Sequence, residues 1–115
     1  MPLRSHSSTA ARRRTHALVF AALGDPTRLS LVAKLRRGQP RSISQLTEGS
    51  NLTRQAITKH LRVLESAGIV HGARTGRESL FQLDPEPIEE LKQYLDRVSE
   101  QWDQALARLK WFVED

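Results

Sequence analysis

Residues 51–70 read NLTRQAITKHLRVLESAGIV, and the two faces of this stretch separate at helical spacing. Ala56, Ile57, Leu61 and Leu64 fall on one side of a helix running from about Thr53 to Ala67, the stripe that a packed helix buries. Thr53 suits its N-cap and Gly68 its stop. Thr53, Arg54, Gln55, Thr58, Lys59 and Arg62 point outward or flank the outer face, and only Glu65 opposes their charge. A polar outer face is ordinarily just solvated. This one carries the residue types that meet a nucleic-acid duplex: Arg and Gln bond base edges through two atoms, and Thr bonds phosphate or meets a thymine methyl.

Upstream, Ser42 reads as the N-cap of a short helix carrying Ile43 and Leu46 and ending near Glu48-Gly49, with Ser50-Asn51-Leu52 as a tight link into the longer helix. Ser42 and Gln45, at the start of that short helix, join the expected DNA contacts. Gln39-Pro40-Arg41 is a connector. Residues 15–23 (THALVFAAL) form a first helix, too short to stand alone. Gly24 ends it, Asp25 caps the next and Pro26 fits that helix's first turn. The second helix extends to about Arg37, with Leu29, Val32 and Leu35 at helical spacing and Gly38 as the stop.

Downstream the period changes. Ile69-Val70-His71 and Leu80-Phe81-Gln82-Leu83 are strand candidates joined across Arg74-Thr75-Gly76-Arg77-Glu78, with Thr75-Gly76 as the turn signal. Arg74 and Arg77 flank that turn, placed to meet phosphate or a narrow minor groove if the tip is more than a soluble turn. The predicted order is α-α-α-α-β-β-α, a mainly α fold with a small β-hairpin, which is that of a winged helix-turn-helix. A short helix turning into a longer one presents the second to the major groove.

Asp84-Pro85 and Pro87 open a last helix, about 85–113, with Glu86, Glu89 and Glu90 at the positive end of its dipole. Ile88, Leu91, Leu95, Val98, Trp102, Ala105, Leu109 and Phe112 recur there at alternating spacings of 3 and 4. That stripe marks one helix packing along another. Tyr94, Leu106 and Val113 widen it, as they would if the helix packed only on its own domain. A helix of this length, about 37 Å over the stripe, overhangs so small a domain, however. A homodimer with the first and last helices at its interface would cover the excess, with Ile88, Leu91, Leu95, Val98, Trp102, Leu109 and Phe112 as interface residues.

Charge divides the same way. The net +5 gathers between residues 26 and 83, where ten Lys/Arg face three Glu, while residues 84–115 carry four Lys/Arg against nine Asp/Glu. A basic middle suits a polyanion and an acidic last segment suits a different partner. The 115 residues leave room for one domain. Residues 1–14 read as a disordered, Ser- and Arg-rich basic tail, and 15–115 as the winged helix-turn-helix domain. No apolar run is long enough to span a bilayer and the N-terminus lacks a secretory apolar core, so a cytoplasmic location is expected. There is no Cys, hence no disulfide, thiolate metal site or Cys nucleophile. No phosphate-cradling Gly-rich loop and no His pair at metal spacing occur either, so an enzyme and a cofactor are not expected. Of the four histidines, His6 falls in the tail, His16 in the first helix and His71 on a strand. His60 admits two readings, a phosphate contact or support for the packing of its helix.

The stretches LGDPTRLSLVAKLRRG (23–38), NLTRQAITKHLRVLESAGIV (51–70) and ARTGRESLFQL (73–83) resemble the ArsR family of bacterial repressors, and the likeness extends over roughly residues 15–112. In that family a polar helix start, a Ser or Thr, a basic residue and then His-Leu mark the recognition helix. Thr58, Lys59, His60 and Leu61 match it. The resemblance implies a homodimer, an imperfectly palindromic operator in double-stranded DNA, and repression relieved by an inducer or a cellular state. Metal-sensing members carry a Cys-rich box on the short helix, or His and acidic ligands on the last one. Here the first region reads RSISQLTEG (41–49) and the last helix has no His, so no metal is expected and the effector is unidentified. The alternatives are an activator, or a winged helix serving as a protein-interaction module, for which the basic middle would have no use.

Overall fold

The computed structural model describes residues 9–114; residues 1–8 of the expected tail, His6 included, lie outside them. Eight elements follow in order: α1 (Thr9–Leu23), α2 (Pro26–Leu35), β1 (Arg41–Ser42), α3 (Ile43–Thr47), α4 (Arg54–Ser66), β2 (Val70–Thr75), β3 (Glu78–Leu83) and α5 (Glu86–Glu114). This is the expected winged helix-turn-helix with one addition, the two-residue strand β1. It pairs antiparallel with β3 through Arg41 with Phe81 and Ser42 with Leu80, making a three-stranded sheet in the order β1-β3-β2.

Local chemistry sets most element ends. The Asp25 carboxylate accepts from the Arg28 N–H at 3.1 Å and caps α2, with Pro26 at the helix start. Ser42 and Gln45 form a reciprocal capping box on α3, and Thr53 accepts from the Ala56 N–H at 3.1 Å to cap α4. The Lys34 ammonium donates to the carbonyls of Leu46 and Glu48 at 3.1 and 3.3 Å, closing the far end of α3. Helix α1 begins at Thr9 and not at residue 15, so the arginine-rich segment expected to be tail is helical from Thr9 onward.

The core joins every layer: Val19 and Ala22 from α1, Leu31 and Leu35 from α2, Leu46 from α3, Ile57, Leu61 and Leu64 from α4, Ile69 and Val70, Phe81 from β3 and Leu91 from α5. Each large side chain buried there stabilises the fold by about 1.5–3 kcal/mol. On α2 the buried pair is Leu31 and Leu35, whereas Leu29 is 52% exposed, contrary to the stripe drawn through it from the sequence. That stripe is displaced because α2 meets α4 along the Leu31 side.

The hairpin is tighter than expected. Thr75 pairs directly with Glu78, leaving Gly76-Arg77 as a two-residue turn and placing Arg74 within β2, opposite Ser79. Gly76 has φ +62 and among the described residues only glycines have positive φ, the arrangement of a Gly-X turn in which only the first position needs glycine. Gly72 is close-packed for a different reason: a Cβ there would lie 3.0 Å from the Phe81 ring and 3.2 Å from the Glu65 carboxylate, so a larger residue would need those side chains to shift by a few tenths of an ångström.

Helix α5 leaves the domain. Its first turns pack on the core through Ile88, Leu91 and Tyr94, the last stacked on His16 of α1 at 4.6 Å. Beyond Val98 most of its side chains are exposed, and the radius of gyration is 18.7 Å, where a compact chain of this length has about 13 Å.

Candidate nucleic-acid interface

The turn from α3 into α4 is held by backbone and hydroxyl groups. Gly49 takes φ +75, the Ser50 N–H donates to the Thr47 carbonyl at 3.0 Å, and the Leu52 N–H donates to the Ser50 hydroxyl at 3.0 Å. This delivers α4 with no acid in its first turn, so the positive end of its dipole is not neutralised from within. Arg54, Gln55, Thr58 and Lys59 come together with Ile43 of α3 along a shallow, largely apolar groove of about 400 Å³. Ile43 is the member of this set that was not among the expected contacts; its position one residue past the Ser42 cap was the available signal.

The expected residues are not equivalent. Arg54, Gln55 and Lys59 are exposed, and among the described residues no hydrogen bond or ion pair engages the side chains of Arg54 and Lys59. Thr58 donates its hydroxyl to the Arg54 carbonyl at 2.7 Å, leaving its oxygen as an acceptor and its methyl on the groove. Thr53 spends its hydroxyl oxygen on the α4 cap. Arg62 is exposed but bound to Glu65 at 2.9 Å, which reduces its free charge. Gln45 accepts from the Ser42 N–H at 2.9 Å through its oxygen and keeps its amide donors.

Two expectations need correction. Ser42 is 6% exposed and its hydroxyl accepts from the Gln45 N–H at 3.2 Å, so this residue is a cap inside the sheet–helix junction and has no free face to offer a duplex. His60 is turned away from the groove: its Nδ1 lies 3.1 Å from an Nη of Arg28 and 3.8 Å from the Asp25 carboxylate. Of its two readings, the structure supports packing. The Asp25 carboxyl is held below its ordinary value of 3.8, chiefly by the Arg28 N–H it accepts; burial opposes this, and the Arg28 charge adds a smaller lowering effect.

On the wing, Arg74 and Arg77 are exposed and their side chains have no partner among the described residues. At its base the ring of His71 bonds the Asp84 carboxylate at 3.0 Å, and Asp84 also accepts from the Glu86 N–H at 3.0 Å at the start of α5. These two hydrogen bonds, His71 first, lower the Asp84 carboxyl from 3.8. Among the described residues no three His, Asp or Glu side chains are grouped to hold a metal ion, and no helix is long and apolar enough to cross a membrane.

The residues expected at a dimer interface divide into two groups. Leu91 is 4% exposed and belongs to its own core, while Ile88 is partly buried against it and lines, with Leu91, the open groove between α1 and α5. Leu95, Trp102, Leu109 and Phe112 are exposed, Trp102 at 63% and Phe112 at 78%, while Val98 is half-buried.

Comparison with known proteins agrees with this geometry. Residues 23–73 match the family described as helix-turn-helix domain. The chain is 35% identical to the HTH-type transcriptional regulator Rv2034 of Mycobacterium tuberculosis over 76% of its own length and 78% of the relative's. It is also 35% identical to the HTH-type transcriptional repressor SmtB of the same species over 56% of its own length, but spans only 47% of that protein. Among solved structures, the ArsR-like transcriptional regulator from Rhodococcus sp. RHA1 superposes with a TM-score of 0.75 at 34% identity, covering 88% of this chain and 94% of that one. With the helix-turn-helix, the wing and these relatives together, the chain belongs to the ArsR family of winged helix-turn-helix transcriptional regulators.

Proposed function

We propose that this protein is a homodimeric repressor that binds a palindromic operator in double-stranded DNA, with α4 in the major groove and the Gly76-Arg77 tip on the backbone or minor groove. The observation that carries the reading is the convergence of Arg54, Gln55, Thr58 and Lys59 on one groove, with Arg74 and Arg77 unpaired on the neighbouring wing. Unpaired cations on one face favour a polyanion, and Arg and Gln at the start of a helix favour base edges. It acts in the cytoplasm, without enzymatic activity, membrane or cofactor, and answers to an effector other than a thiolate-bound metal, since the sequence has no Cys.

The dimer is supported by the bare half of α5. An apolar groove of about 380 Å³ between α1 and α5, lined by Phe20, Leu23, Ile88, Leu91 and Leu95, continues the exposed stripe from Trp102 to Val113. Exposed apolar surface of that extent calls for a partner, and a second copy offers the same stripe in return.

The test is fluorescence anisotropy with DNA from upstream of the chain's own gene against a scrambled duplex, across a salt series. Preference for the native duplex that persists as salt rises is the expected result. Equal binding to both, vanishing with salt, would leave a basic surface only and favour a protein-interaction module.

A further inference from the structure

Three helices meet at Arg28. Its Nε donates to the Ala22 carbonyl at 2.6 Å and one Nη to the Ala21 carbonyl at 3.2 Å, so the guanidinium closes the open end of α1. The other Nη points at Nδ1 of His60 on α4, 3.1 Å away. A guanidinium only donates, so this contact is a hydrogen bond in the Nε2–H tautomer of the ring, with Nδ1 accepting. Asp25, capping α2 through the Arg28 N–H, stands 3.8 Å from the same nitrogen and completes the surround.

The remaining contacts that seat α4 are apolar, through Ile57, Leu61 and Leu64. Such contacts are non-directional and tolerate small rotations of a helix about its axis. A planar fork with three fixed acceptors does not. His60 lies two residues beyond Thr58 and one beyond Lys59, so a rotation at His60 re-aims the whole outer face.

We propose that Arg28 and His60 are positioning residues for DNA recognition, locking the rotation of α4 to the end of α1. The inference rests on the DNA-binding reading above. It ties the groove that meets DNA to the helix carrying exposed Leu18 and Phe20, so that an altered seat of α1 alters the aim of Arg54 and Gln55.

The experiment compares wild type, His60→Leu, His60→Asn and His60→Lys by anisotropy on the upstream duplex, with circular dichroism to check folding. His60→Leu removes the acceptor and should weaken specific binding roughly tenfold, the scale of one hydrogen bond to a charged group expressed as a loss of the competent orientation. His60→Asn supplies an amide oxygen near the place of Nδ1 and should restore most of that loss. His60→Lys adds a positive charge but no acceptor and should bind more weakly than wild type. Should His60→Leu fail to fold, Arg28→Lys, which keeps the charge and loses the fork, should show the same weakening. Tighter binding by His60→Lys would mean that residue 60 meets phosphate directly and would overturn the proposal, as would wild-type affinity in His60→Leu. A wild-type protein with no preference for the upstream duplex would overturn the DNA reading itself, and the brace with it.

Discussion

Helices α4 and α5 are both amphipathic, yet their apolar faces meet different fates. On α4, Ile57, Leu61 and Leu64 are sealed by α1, α2, α3 and the sheet, and the polar face is left outward and basic. On α5, 29 residues or about 43 Å long, only the first turns find cover, and from Trp102 to Val113 the apolar side chains stand in solvent. Periodicity therefore specifies that a face will be buried without specifying by what. Length decides that: a 13-residue helix matches the width of this domain and a 29-residue helix exceeds it.

If α5 is covered by a second copy and α4 by its own chain, substitutions on the two helices should fail differently. Trp102→Glu should have the largest effect. It touches nothing in the core, so the domain should keep its fold, while sedimentation shows a monomer and operator affinity falls roughly a hundredfold or more as two half-sites are no longer bound together. A dimer surviving this change would place the interface elsewhere. Arg54→Ala or Gln55→Ala should leave the dimer intact and cost about 1–3 kcal/mol of binding, with specificity relaxed at one or two base pairs; uniform losses on every duplex would remove base readout from α4. Arg77→Ala should be milder, weakening all sequences alike and reducing the slope of log affinity against log salt by about 0.9, and an unchanged slope would take the wing off the phosphates.

The smallest effect lies at the seam between the wing and α5. The Asp84 carboxyl is held below 3.8 by His71 and the Glu86 N–H, so its contribution is complete above that value and is lost as pH falls through the lowered one. The difference in thermal midpoint between wild type and Asp84→Asn should be constant near neutrality and shrink below about pH 4. A gap that persists undiminished to pH 3 would show that the carboxylate charge is not responsible.

What could be read from the sequence follows from the range of each interaction. The caps at Ser42 and Thr53 and the inner stripe of α4 act over three or four residues and were legible. Strand β1 was not, because two residues carry no alternation and its partner, β3, lies about forty positions away. Leu29 and Leu31 both sit at helical spacing on α2, and only the packing of α4 chooses between them. Ser42 has the chemistry of both a cap and a DNA contact, and its burial appears only once the sheet closes over it. The Arg28–His60 contact spans 32 residues, so Arg28 reads locally as one more cation and His60 is left with two readings. Polar or basic character and outward position picked out Arg54, Gln55 and Lys59 as exposed residues, since these need no partner within the chain to take their place.

In the strand order β1-β3-β2 the longer of the two sheet edges is β2. Along β2, from Val70 to Thr75, the outer backbone groups have no strand beside them, and every side chain after Val70 is exposed. An unaccompanied border of this kind is a template on which another extended chain can grow. Arg74 and Arg77 stand exposed at its tip. Charged side chains on an edge strand disfavour such growth, so a variant stripped of both arginines would be expected to leave solution more readily than one stripped of either.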